Sequence, residues 1–256
     1  MQHLLRPTAP WHSEVKSKLF MQSGPKRAQQ DLSRLARIIT KALKDLKRRE
    51  YARVYVDLGV ALQSYHWSSA LHYCAGYSAR HLGEITLAQS HYAHVHDQSP
   101  LNSLAAQEMM TLMYQMGRFQ ELSAFARCRL LAREEPESYY MLGVVYQLHH
   151  QIKSAQKSFE GALDCVYQGS PDQLTYRLAL SHSLYMQQEY TQALEYLSAA
   201  DIMDRKETQL WLLISRCHFR LNQEQDGEDA LKRALKLSPR DILVHITYGD
   251  ELQKSQ

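Results

Sequence analysis

A pattern of small and aromatic residues returns along this chain at intervals of about 34 residues, and few features constrain a fold more tightly. Its clearest instance is Gly143–Tyr146–Ala155–Phe159–Ala162, and Trp211–Ser215–Gly227–Leu231–Ala234–Pro239 follows in the same frame. A period of that size builds a stacked array of helical hairpins, because no single unit can bury its apolar face alone. Six repeats begin near Leu35, Ser69, Ser103, Pro136, Leu174 and Thr208. A short residue recurs inside the first helix at Ala42, Gly76, Gly143, Ser181 and Ser215, with Met110 breaking the series. It faces Ala88, Ala155, Ala193 or Gly227 in the second helix, or Val54 and Leu122 in the two weaker repeats, and small residues there allow close helix packing. The pairs Leu58/Ala61, Tyr92/Val95, Phe159/Ala162, Leu197/Ala200 and Leu231/Ala234 follow at helical spacing and predict one buried face per helix.

This register resembles the tetratricopeptide repeat over residues 35–241, with the repeats from Pro136 and Thr208 the best matches. The resemblance implies an all-α fold: an α-α superhelix, or solenoid, of five to six hairpins with a C-terminal capping helix. Three segments are expected: a flexible basic arm over residues 1–30, the solenoid over 31–241, and a capping helix and tail over 242–256. Asp241 is placed to cap that last helix, which runs through Ile242, Ile246 and Leu252 with a polar far side. Within the arm, Trp11, Leu19 and Phe20 are expected to dock on a partner or in the chain's own groove. Ala126 and Arg129 occupy positions usually bulky and small respectively, which points to a distorted or shifted third repeat. The interval from Pro136 to Leu174 is 38 residues, and the excess falls in the turn-rich Gln168–Asp172 stretch, read as a lengthened loop.

With 45% hydrophobic residues and only 10 Gly and 7 Pro, the chain has enough apolar surface for an elongated helical core and few breaks in helix. No apolar run reaches about 18 residues, so no helix is expected to span a membrane. Cys74, Cys128, Cys165 and Cys217 lie far apart without a CxxC pair; they read as free thiols at helix interfaces and as the mark of the cytoplasm or another reducing intracellular compartment. The net charge of +3 conceals an asymmetry, since residues 1–53 carry 13 Lys and Arg against 4 Asp and Glu. Lys41, Lys44, Lys47, Arg48, Arg49 and Arg53 form the densest run, with Lys41, Lys44 and Arg48 on one helix side and Ile39, Ala42, Leu43 and Leu46 on the other. Such a face is either solvated or a docking surface for nucleic acid or another polyanion.

The tetratricopeptide resemblance further implies that the first helix of each hairpin lines a concave groove. Its inward positions fall on Tyr73, Tyr77 and Arg80; on Leu104, Gln107, Thr111 and Tyr114; on Tyr140, Val144 and Gln147; on Leu178, His182 and Tyr185; and on Leu212, Arg216 and Phe219. A groove of that composition suits an apolar or amphipathic segment of a protein or peptide partner. The Lys–Asn–Arg clamp by which some relatives hold a terminal carboxylate is missing, because Ile39, Leu43, Tyr73 and Tyr77 stand at its places. There is no P-loop, dinucleotide glycine fingerprint or nucleophile elbow. His91 and His94 match no zinc spacing and read as surface histidines, and His149 and His150 as residues of an exposed turn. The expectation is a non-enzymatic adaptor, assembly subunit or substrate-holding chaperone with no cofactor and no metal. The alternative is a regulator or scaffold whose basic front end contacts a polyanion.

Overall fold

The computed structural model describes residues 25–166, 170, 172–198 and 207–254. Among them are thirteen helices and no strand, and the chain divides into two compact units, Met1–Arg118 and Phe119–Gln256. The first contains α1 (Pro25–Lys47), α2 (Tyr51–Ser64), α3 (Ser69–His81), α4 (Ile85–Gln98) and α5 (Ser103–Gln115). The second contains α6 (Phe119–Ala132), α7 (Pro136–Leu148), α8 (Ile152–Asp164), α9 (Gln173–Met186), α10 (Tyr190–Leu197), α11 (Thr208–Arg220), α12 (Glu224–Leu237) and α13 (Ile242–Lys254). The repeat starts expected at Ser69, Ser103, Pro136 and Thr208 are each the first residue of a helix, and Leu174 is one residue inside α9.

Local chemistry explains the boundaries. The Ser68 hydroxyl and the Asn102 side-chain oxygen accept from the backbone N–H groups of Leu71 and Ala105, capping α3 and α5. Pro136 opens α7 at a position where its missing N–H costs nothing, and Pro25 opens α1 for the same reason. The first helix therefore starts at Pro25, ahead of the Leu35 repeat start and inside the segment assigned to a flexible arm. Six turns share one device, a left-handed residue after the helix, at Arg49, Gly83, Gly117, His150, Gln188 and Asn222. Beside each, an N–H reaches back to a carbonyl five residues earlier, as in Glu84 N–H to Ala79 O at 2.9 Å and Glu189 N–H to Leu184 O at 3.0 Å.

Hairpin packing follows the small-residue register. In the first unit Gly76 of α3 lies against the Tyr92 ring of α4; in the second Gly143 of α7 lies against Phe159 of α8, both rings being fully buried. Val54, Leu58, Ala88, Val95, Ala155, Ala162, Ala193, Leu197, Leu231 and Ala234 are all buried, as the spacing requires. Within unit two, α9 packs on α8, α10 and α11, and α13 closes against α11 and α12.

Several expectations are corrected. The helix α6 is regular, because Ala126 is buried and the guanidinium of Arg129 is enclosed with the Glu135 carboxylate, donating from Nη2 at 2.6 and 2.7 Å. An arginine therefore fills a site meant for a small residue by bringing its counter-ion with it. Among the described side chains of α13, Val244 and Thr247 are buried, while Ile242, Leu243 and Ile246 are exposed; Asp241 does accept from the Leu243 N–H at 2.9 Å. Cys74 and Cys217 are buried thiols, but Cys128 is exposed and Cys165 half-buried. Trp11, Leu19, Phe20, Gln168, Gly169, Pro171, Ala200 and the side chain of Leu252 lie outside the described residues.

Candidate partner-binding groove

The first helices of the second unit's hairpins carry one repeated stripe. On α9 it reads Thr175, Leu178, Ala179, His182, and on α11 it reads Gln209, Leu212, Leu213, Arg216; both are i, i+3, i+4, i+7 series on one helix side. Together with Tyr140 and Gln147 of α7, Leu174, Glu207 and Leu243, they enclose an open hollow of about 500 Å³. That volume lies in the range of ligand-holding clefts. Its floor is aliphatic: Leu212 and Leu213 are buried and Leu178 and Ala179 half-buried.

Polar groups are placed around that floor, and Gln147 Nε2 lies 3.4 Å from His182 Nδ1. Gln147 Nε2 donates to the Ser183 hydroxyl at 2.9 Å, and Arg216 Nη2 donates to the Thr247 hydroxyl at 3.1 Å. His182, although exposed overall, is held below the ordinary imidazole value by partial burial of its ring first and by the Arg216 charge second. The hollow thus combines branched apolar side chains with amide, imidazole and guanidinium donors.

Of the residues assigned to the groove from sequence, Tyr140, Gln147, Leu178, His182, Leu212 and Arg216 line this hollow. Val144 instead packs against the buried cluster of the unit. Tyr185 lies against Tyr190 at 5.3 Å, with its phenolic oxygen 3.4 Å from Arg220 Nε, and the Phe219 ring fills the space beside Gly227. The rings of both pack within their own hairpins, and the Tyr185 hydroxyl reaches the next. Thr175, Ala179, Gln209, Leu213, Leu174, Glu207 and Leu243 join the hollow without having been assigned to it. The i+3/i+4 companions of Leu178 and Leu212 were a readable signal; Leu243 was not, since it reaches the site from the capping helix.

In the first unit the assigned residues are largely committed to internal contacts. Tyr73 is buried with its ring 5.6 Å from that of Tyr92, and this burial pushes its phenol well above the ordinary value. Tyr77 packs 4.6 Å from His81, which in turn stacks on Tyr51, and Arg80 is ion-paired with Glu108. Leu104 is half-buried, Thr111 donates to the Gln107 carbonyl at 2.8 Å, and Gln107 and Tyr114 are exposed. A hollow of about 240 Å³ in this unit lies elsewhere, between α1 and α2 around Ile38, Asp45, Leu58 and Tyr65.

The basic run is divided. Lys41 pairs with Asp57 at 2.7 Å and Arg53 with Glu50 at 3.0 Å, whereas Lys44 and Lys47 are exposed on α1. Arg48 and Arg49 lie in the turn after Lys47, so Arg48 does not share a helix side with Lys41 and Lys44. His91 and His94 are half-buried rather than superficial: His91 Nδ1 is 2.9 Å from His72 Nδ1, and the His94 ring centroid is 3.9 Å from that of His72. His149 and His150 are exposed at their turn.

Known proteins give the same architecture. A family profile, anaphase-promoting complex, cyclosome, subunit 3, matches residues 160–234. No curated protein matches the chain. Among solved structures, PilF of Pseudomonas aeruginosa superposes with a TM-score of 0.71 at 20% identity, over 89% of this chain and 100% of its own. A chain of the APC/C hetero-tetramer Cut9–Hcn1 gives 0.72 at 15% identity, over 94% of this chain and 47% of its own. YrrB, a TPR protein, gives 0.55 at 14% identity, over 75% of this chain and 97% of its own. At these identities the likeness is one of fold, and it agrees with the hairpin register: this is a helical-repeat protein. The fold is one of stacked helical hairpins, similar to that of the TPR protein YrrB.

Proposed function

We propose that the hollow on α7, α9, α11 and α13 holds an apolar or amphipathic segment of a protein partner, and that the chain works as a non-enzymatic adaptor, assembly subunit or substrate-holding chaperone. The observation that carries this reading is the aliphatic stripe Leu178–Ala179–Leu212–Leu213, repeated on adjacent hairpins and open on one side. Apolar floor with polar donors at its margin is the composition of a segment-binding groove. Two structural neighbours lend support: YrrB is described as having an unusual peptide-binding site, and Cut9–Hcn1 is a hetero-tetrameric assembly. The reading includes a reducing, cytoplasmic setting, which the unpaired Cys74 and Cys217 thiols support; burial pushes both up to about 12, leaving them unreactive.

Random dodecapeptides displayed on phage and selected on the full chain test this. Peptides rich in Leu, Ile and Phe should be enriched. Ala179→Arg, which fills the hollow from a half-exposed position, should weaken them at least about tenfold, or roughly 1.4 kcal/mol. Gln107→Arg on α5 should leave them bound. Absence of any enrichment, or loss of binding in Gln107→Arg and not in Ala179→Arg, would overturn the reading.

A further inference from the structure

We infer that the hollow between α1 and α2 seats the indole of Trp11, so that the segment ahead of α1 folds back and closes the first hairpin of the chain. The hollow follows from two departures of this hairpin from the repeat. Where four later hairpins have Ala88, Ala155, Ala193 or Gly227 at the helix crossing, α2 has Val54, a larger side chain set against Ala42 of α1. Where α4 and α8 have the buried rings of Tyr92 and Phe159, α2 has the smaller Leu58. A wider crossing with a smaller plug leaves about 240 Å³, walled by Ile38, Ala42, Val54, Leu58 and Ala61. The helices α1 and α2 accordingly meet less closely than α3 and α4 do. Close-packed helix pairs seldom keep a gap of that size, and an apolar cavity of about 150 Å³ already takes benzene.

The chemistry of the hollow and the reach of the chain select the occupant. The segment ahead of α1 carries two large aromatic rings, Trp11 and Phe20. Asp45, on the wall of the hollow, lies 20 residues beyond Pro25 and hence about 30 Å along α1. Phe20 is five residues before Pro25, which spans about 17 Å at full extension and stops short. Trp11 is 14 residues before Pro25, a reach of about 46 Å, and covers the distance with chain to spare. An indole also brings a single N–H donor that must find an acceptor once buried, and the Asp45 carboxylate, in a residue only 5% exposed, offers one. At the rim, Lys41 is held by Asp57 at 2.7 Å and Arg34 stands nearby, so cations border the seat of an electron-rich ring. The mouth is marked by Val60, which lines the hollow and is itself exposed.

Fluorine NMR of the full chain labelled with fluorotryptophan tests the seat, the Trp11 signal being assigned by Trp11→Phe. In the wild type that signal should be displaced from the one given by fluorotryptophan in a short peptide, and a soluble gadolinium chelate should broaden it several-fold less. Val60→Arg, which sets a charged side chain at the mouth, should make Trp11 as accessible as in the peptide. Val56→Arg, on exposed α2 surface outside the hollow, should leave it protected. Trp11→Ala should bind added fluoroindole several-fold more tightly than the wild type does, and this measurement answers the question should Val60→Arg not fold. A Trp11 as accessible in the wild type as in the peptide, protection that survives Val60→Arg, or equal fluoroindole binding by wild type and Trp11→Ala would overturn the inference. So would protection lost on dilution, which would assign the ring to a second copy of the chain, or fluoroindole binding gained in Phe20→Ala and not in Trp11→Ala.

Discussion

On α3 of the first unit, Tyr73 lies beneath Tyr92 and Arg80 is tied to Glu108; on α9 and α11 of the second, Leu178 and Arg216 line the hollow. The hairpin register is the same in both. What differs is the size and charge of the neighbours: rings and an acidic residue in the first unit consume the inward side chains, whereas short and branched residues in the second leave them available. A repeat position therefore fixes direction, and the residues around it decide whether that direction leads to a ligand or to the protein's own interior.

The sharpest way to break this contrast is to empty the core beneath the hollow. Phe159→Ala removes a fully buried ring of α8 and should cost about 3–5 kcal/mol. Hydrogen exchange should rise through α7–α10 while α1–α5 keep their protection. Equal loss in both units would show that they unfold together, and the comparison would fail. Gly143→Ala is the milder version: an added Cβ would sit 2.7 Å from Phe159 Cδ1 and should cost about 1–3 kcal/mol by overpacking. Gly76→Ala, whose Cβ would lie 3.0 Å from Tyr92 Cε1, should cost less in the first unit, as measured by urea unfolding.

Acid should act most clearly on the first unit. His72 Nε2 donates to the His66 carbonyl at 2.8 Å, which leaves Nδ1 as the acceptor facing His91 Nδ1 at 2.9 Å. Protonating His72 sets two donors against each other; burial of the ring lowers its value to about 4, and the neighbouring histidines add to this. The unfolded chain binds that proton near pH 6.5, so it carries more protons than the folded chain between pH 6.5 and about 4. Stability is therefore present above pH 6.5 and is lost on acidification through that window. For rings only half-buried, the loss is on the order of 1 kcal/mol after solvent screening. Thermal melts across the window should show a fall that His72→Gln flattens, and an unchanged slope in that variant would assign the effect elsewhere.

Much of the framework was readable because it depends on spacing. Gly143 against Phe159 and Ala155 beside them follow from helical periodicity alone, as do the helix starts at Ser69 and Thr208. The start of α1 was missed because residues 1–30 were read as one flexible arm, although proline is well accommodated at the first helical position. Arg129 was misjudged for a different reason: its partner, Glu135, sits in the next connection, and a pair formed across a turn leaves no periodic trace. At the site, Leu178 and Arg216 were legible from register, but Tyr185 and Phe219 were not, because Tyr190 and Gly227 draw those rings into their hairpins. Direction along a helix is written in one helix; occupancy is written in two.

The smallest expected effect lies in the turns, where the two units again differ. The first uses glycine at two of its left-handed positions, Gly83 and Gly117, beside Arg49; the second uses His150, Gln188 and Asn222. A Cβ is strained at the φ of 67° held by Gln188, and glycine is not, although glycine also gains more freedom in the unfolded chain. The two effects oppose each other and leave Gln188→Gly a net gain of roughly 0.5–1 kcal/mol. Asn222→Gly should gain less, since asparagine tolerates this conformation. Conversely, Gly83→Ala should lose stability even though nothing lies within 4 Å of its added Cβ, because the strain is in the backbone. Urea midpoints of the three variants rank these effects, and a destabilised Gln188→Gly would mean that its side chain holds the turn by a contact stronger than the strain it bears.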